Sequence, residues 1–150
     1  MHAALSFRSA LLARHAQHVV LIHFPIALFL IGVAFDLAAR WTRREALAAV
    51  AFYNIVVAAV FVVPVMITGL LAWRWQLEGQ RLHGLLLLHL LFGCTSGVLI
   101  IVSAWLQNRA RGAASEGGFG YRFPVELIGV ATVAVTAHLG GFVSGVNSAI

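Results

Sequence analysis

Charge is scarce in this chain. Only 10% of its 150 residues are charged and only five are acidic, whereas 61% are hydrophobic and the mean hydropathy is +0.95. A soluble domain of this length is far more polar, so that class is excluded. Cysteine is almost missing too. Cys94 stands alone inside an apolar stretch, where it cannot close an internal disulfide and reads as a small packing residue. No CxxC pair, HExxH, glycine-rich phosphate loop or pair of carboxylates placed for acid–base work occurs. Ser144 and Gly145 near His138 lack the GxSxG elbow of a serine hydrolase. There is no internal repeat and no low-complexity tract. The net charge of +5 comes from arginines that flank apolar runs, with no stacking platform beside them, which argues against nucleic acid as a partner.

What the chain has instead is long apolar runs. Four stretches, about 19–39, 47–73, 84–106 and 124–146, each reach the roughly 20 helical residues that cross a hydrocarbon core. Open strand edges are not tolerated in lipid, so the expected fold is all-α: one integral membrane four-helix bundle over 1–150, with the lipid bilayer as its surroundings. The segments 40–46 and 74–83 are short, which implies antiparallel neighbours in up-down order, whereas 107–123 is longer and holds Gly112, Gly117, Gly118 and Gly120. Pro124 suits a first helical turn, and Pro25 and Pro64 fall inside spans.

Residues 1–18 carry Arg8 and Arg14 before the first run. That run is too long for a signal peptide, and Ala4, Phe7 and Leu11 at helical spacing suggest an interfacial helix. Arg40, Arg43, Arg44, Arg109, Arg111 and Arg122 fall on one side of the bundle, against Arg8, Arg14, Arg74 and Arg81 on the other. The excess points loops one and three to the cytoplasm and both termini to the periplasm of a bacterial inner membrane. Asp36 and Arg40, four apart, read as a structural ion pair; Glu126 suits the positive end of helix four; Trp41, Trp73, Trp75 and Trp105 read as interfacial anchors.

The histidines are the strongest functional signal. His18 and His23 open the first span, His83 and His89 the third, and His138 lies late in the fourth, so up-down order brings all five to one side. An ionisable group within a span is costly and usually faces a partner, cofactor or cavity. His23, His89 and His138 agree in depth within about one turn. Gly93 and Gly97 follow His89 at i+4 and i+8, and Gly141 and Gly145 accompany His138. Small residues beside an imidazole suit a haem, and the same GxxxG spacing also suits close helix packing. Helices one and three are diagonal in an up-down bundle, which selects His23 and His89 as axial ligands. His138 is then an alternative ligand or a donor beside the haem, and Arg81 could orient propionates. His18 and His83 are expected to be solvated, or else to bind a second, shallower group or to orient propionates with Arg81.

The segment His23-Phe24-Pro25-Ile26-Ala27-Leu28 with Phe35-Asp36-Leu37, then Thr68-Gly69-Leu70-Leu71, Asn108-Arg109 and Leu139-Gly140-Gly141, resembles the landmarks of a bacterial family of four-helix membrane proteins of unassigned function. The resemblance covers most of the chain. Members occur fused to or beside Rieske iron–sulfur or cytochrome modules, which implies a respiratory setting. The chain departs from the pattern at Ala72, where an acidic residue is usual, and at His138.

The expected function is a non-catalytic, electron-carrying membrane subunit with haem b, one or two, ligated by His23 and His89, with His138, Gly93, Gly97 and Arg81 around it. Its partners would be other membrane or periplasmic redox subunits, or quinone. Two alternatives stand beside it: a membrane protein binding copper, zinc or non-haem iron through the histidines, and a cofactor-free structural subunit of a larger complex.

Overall fold

A computed structural model of the chain describes residues 14–79, 81–112 and 121–144. Among them are four helices: α1 (Arg14–Thr42), α2 (Glu45–Gln76), α3 (Gly84–Gly112) and α4 (Arg122–Val143). All four are long and apolar enough to cross a membrane. Each exceeds its expected span at one end or both, except that α4 stops at Val143. Residues 14–18 are the first turns of α1 rather than part of a separate interfacial helix; the rest of that expected helix, 1–13, lies outside the described residues, as do Gly117, Gly118, Gly120 and Gly145.

The connections follow from local backbone chemistry. α1 ends where Arg43 takes φ 55°, a left-handed conformation, and the chain reverses over Arg43 and Arg44 alone. The Arg44 carbonyl then accepts from the Leu47 and Ala48 amides, and Glu45 sits in the first turn of α2, at its positive end. After α2, the Gly79 amide reaches back to the Trp73 carbonyl at 3.2 Å. Pro25 and Pro64 lie within continuous helices.

The order is up-down: α1 packs on α2, α2 on α3 and α3 on α4, and α4 closes lightly on α1. The molecule is therefore two hairpins, α1–α2 and α3–α4, with α1 diagonal to α3. Its buried seam is narrow: Phe29 and Val33 of α1, Ile55, Ala58 and Val62 of α2, Ile100 of α3 and Val133 of α4. Many large apolar side chains point outward instead, among them Val20, Val60, Val63, Leu91, Val98 and Ile128, as expected where the surroundings are lipid.

Lipid is as apolar as leucine, so the helices are held by close approach and by polar contacts. A Cβ on Gly32 would meet Ile55 at 2.6 Å, one on Gly129 would meet Phe29 at 2.8 Å, and one on Gly97 would meet Val62 at 2.9 Å. These three glycines seat side chains from neighbouring helices. Several hydroxyls and amides inside the spans return their protons to their own helix, as Thr95 does to the Leu91 carbonyl and Asn54 to that of Val50.

Candidate functional site

At the histidine end, each hairpin presents one imidazole in nearly the same setting. In the first, the Thr68 hydroxyl has one proton, which is directed to the Pro64 or Val65 carbonyl at 2.9 and 3.0 Å. The same hydroxyl lies 3.2 Å from His18 Nδ1, and with the imidazole proton on Nδ1 that contact runs from His18 to Thr68. The His18 ring lies against Gly69, whose added Cβ would sit 3.0 Å from its Cε1. In the second hairpin, His89 Nδ1–H donates to the Thr136 carbonyl at 3.2 Å, and its ring lies against Gly140, with an added Cβ at 3.1 Å from Cε1. The Thr136 hydroxyl lies 2.8 Å from the Thr132 carbonyl and 2.9 Å from Ser96 Oγ of α3.

In a neutral imidazole with the proton on Nδ1, Nε2 carries the lone pair that a metal takes; the carbonyl holding Nδ1–H also fixes the ring. Depth agrees as well. Thr68 is eight residues before the end of α2 at Gln76, and Thr136 seven before the end of α4 at Val143. At 1.5 Å per residue these are about 12 and about 10 Å.

The other expected site residues are placed differently. His23 is exposed, and its Nδ1–H donates to the Val19 carbonyl of its own helix at 2.6 Å. At 100° per residue it lies about 120° from buried Phe29, whereas His18 lies within about 20° of it. His138 is about 180° from buried Gly129. It is exposed and meets Phe142 edge-on at 4.9 Å between ring centroids. His83 and Arg81 are exposed in the α2–α3 connection. Gly93 faces Thr136, with an added Cβ 3.7 Å from Cγ2, while Gly97 is filled by Val62 of α2. Among the described residues, no three His, Cys, Asp or Glu side chains form a group that could hold a metal ion. Equal depth thus did not make His23, His89 and His138 one cluster. His18, expected to be solvated, is half-buried against α2 instead. Its angular register with Phe29 and the Thr68-Gly69 pair were the available signals.

The opposite, arginine-rich end holds a buried polar network. Asp36 is 2% exposed; one carboxylate oxygen accepts from Arg40 Nε at 2.6 Å and the other from Arg122 Nη2. The expected Asp36–Arg40 pair is therefore present, but α4 joins it. Arg122 Nε also lies 3.8 Å from Glu126 Oε1, which accepts from Gln107 Nε2 of α3 at 2.9 Å. Glu126 is not a helix-end residue at the surface; it is wholly buried one turn inside α4. Two carboxylates face two guanidiniums, which is how buried charge is tolerated in a span. Glu126 Oε2 and Ser103 Oγ are buried with no hydrogen-bond partner among the described residues. The network clasps the hairpins together through α1, α3 and α4. Gln107 and Arg122 were missed from sequence because each lies near a span end, where polar residues are ordinary.

Residues 14–147 match the family described as a predicted membrane protein, DUF2231. No curated protein and no solved structure matches the chain. The chain belongs to the DUF2231 family, in keeping with the four-helix membrane family that its sequence landmarks resemble.

Proposed function

We propose that this DUF2231 member is a small electron-carrying membrane subunit that binds a b-type haem at the histidine end, between its two hairpins, with His18 and His89 as axial ligands. The observation that carries the reading is the matched setting of these two rings. Both come from diagonal helices, both lie at one depth, both engage a threonine of the neighbouring helix through Nδ1 and both rest on a glycine. His89 is retained from the sequence expectation, and His18 replaces His23 because it faces the packed side of α1. A bound haem would supply one-electron chemistry, and Thr68 and the Thr136 carbonyl would hold the two rings through Nδ1. The subunit would pass electrons between a redox partner protein and quinone or another membrane subunit of a bacterial inner membrane, with both termini periplasmic. Copper, zinc or non-haem iron on His23, His89 and His138 has less support, since His138 faces away from the packed seam.

A second reading, a cofactor-free packing subunit, is favoured by Gly97, Gly129 and Gly32, all of which seat neighbouring side chains. An absorption spectrum of full-length protein from haem-replete cells separates the two. The haem reading expects the sharp reduced bands of a six-coordinate b-type centre, lost in His18→Ala and in His89→Ala while the protein remains in the membrane. Retention of the bands in His18→Ala with loss in His23→Ala would restore the other ligand pair. Wild-type protein with neither haem bands nor bound metal by elemental analysis would leave the packing subunit.

A further inference from the structure

At the arginine end, a cavity of about 260 Å³ opens beside the α1–α2 turn. Arg40, Arg43, Arg44, Arg111 and Arg122 line it, against only two carboxylates, Asp36 and Glu45. Asp36 is already bound by Arg40 and Arg122. Among the described residues, none of Arg43, Arg44 and Arg111 pairs with a carboxylate. Three exposed arginines without a carboxylate partner among the described residues thus line a small space that Ala39, Ala48 and Ala110 also border. Like charges held together repel unless an anion joins them, and a phosphate accepts two parallel N–H bonds from each guanidinium.

Two further features belong to the same place. Arg43 holds φ 55° at a helix end where glycine is the ordinary choice, so the turn keeps an arginine at the cavity despite its backbone cost. Arg111 is steadied by the Phe52 ring, 4.5 Å from its guanidinium carbon. The cavity is smaller than the roughly 300–1,000 Å³ of small-molecule pockets, which suits one charged group rather than a whole cofactor. It lies where the apolar spans end, near Trp41, 88% exposed, and Trp105, 54% exposed, at the level where lipid phosphates sit.

The geometry points to a phosphate-binding site in this cavity, filled from the membrane by the headgroup of an anionic phospholipid. Basic pockets between spans recognise such headgroups, and each arginine near the surface is worth about five-fold in affinity.

Native mass spectrometry of the full chain, in micelles containing equal phosphatidylglycerol and phosphatidylcholine, tests the lipid source. Phosphatidylglycerol should be retained in preference, and Arg43→Gln with Arg111→Gln should weaken it about 25-fold. Arg74→Gln with Arg81→Gln, at the other end and outside the cavity, should weaken it far less than the Arg43 and Arg111 pair. Calorimetric titration of delipidated protein with inorganic phosphate tests the solution source; saturable binding lost in the same double variant also supports the site and assigns it to free phosphate. Arg43→Gly relieves the left-handed backbone, so it should unfold no more easily than wild type yet lose about five-fold in affinity, which separates binding from folding. Equal retention of both lipids with no phosphate binding, or binding unchanged in the double variant, overturns the proposal.

Discussion

Replacing Asp36 by asparagine removes the carboxylate on which two arginines converge, and the structure sets the scale of the loss. Truncating one partner of a buried ion pair costs about 3–5 kcal/mol, because the other charge stays buried. Arg40 has 22% of its side chain exposed and can turn toward the adjoining cavity, so its share is small. Arg122 is 9% exposed and keeps Glu126 at 3.8 Å, which places Asp36→Asn near the lower bound, about 3 kcal/mol. Arg122→Gln leaves Asp36 with Arg40 and Glu126 with Gln107, so about 2 kcal/mol is expected, less than for a pair with no such substitutes. Making both changes removes both charges together. The double variant should therefore cost about 3 rather than 5 kcal/mol, a coupling of about 2 kcal/mol between contacting groups. Reversible unfolding in mixed micelles, followed by far-UV circular dichroism under one detergent composition, measures all four proteins. Losses that add to within about 0.5 kcal/mol would refute the clasp as a direct interaction.

Three further outcomes are expected. Gly129→Val should cost about 1–3 kcal/mol in the same assay, since its side chain would have to displace the Phe29 ring; pairing it with Phe29→Leu should recover part of the loss. His138→Ala should leave any haem spectrum and redox titration unchanged, because the ring faces away from the packed side of α4; loss of the bands would put the ligand back on that helix. Reporter fusions after Ile150 should be active only with a reporter that works in the periplasm, given the arginine excess at the opposite end.

Composition and run length were enough to determine an all-helical membrane bundle, because a bilayer leaves the backbone no other way to satisfy its hydrogen bonds. Chain order then placed the histidines at one end and most arginines at the other. The i,i+4 spacing likewise identified the Asp36–Arg40 pair within a single helix. What remained undetermined was which side of each helix meets its neighbours. In water, apolar residues mark the inward face; in lipid, α2 is apolar all round and carries no such mark. Depth alone therefore favoured His23, while packing turned His18 onto Thr68 and Gly69. The Gly93 and Gly97 stripe was legible, but only the assembled bundle showed Gly93 facing α4 and Gly97 taking Val62 of α2. Glu126 looked like a residue for the helix dipole until Gln107 of α3 and Arg122 closed around it. Each of these outcomes depends on helices far apart in the chain meeting at a particular rotation, which tertiary packing decides and local periodicity does not.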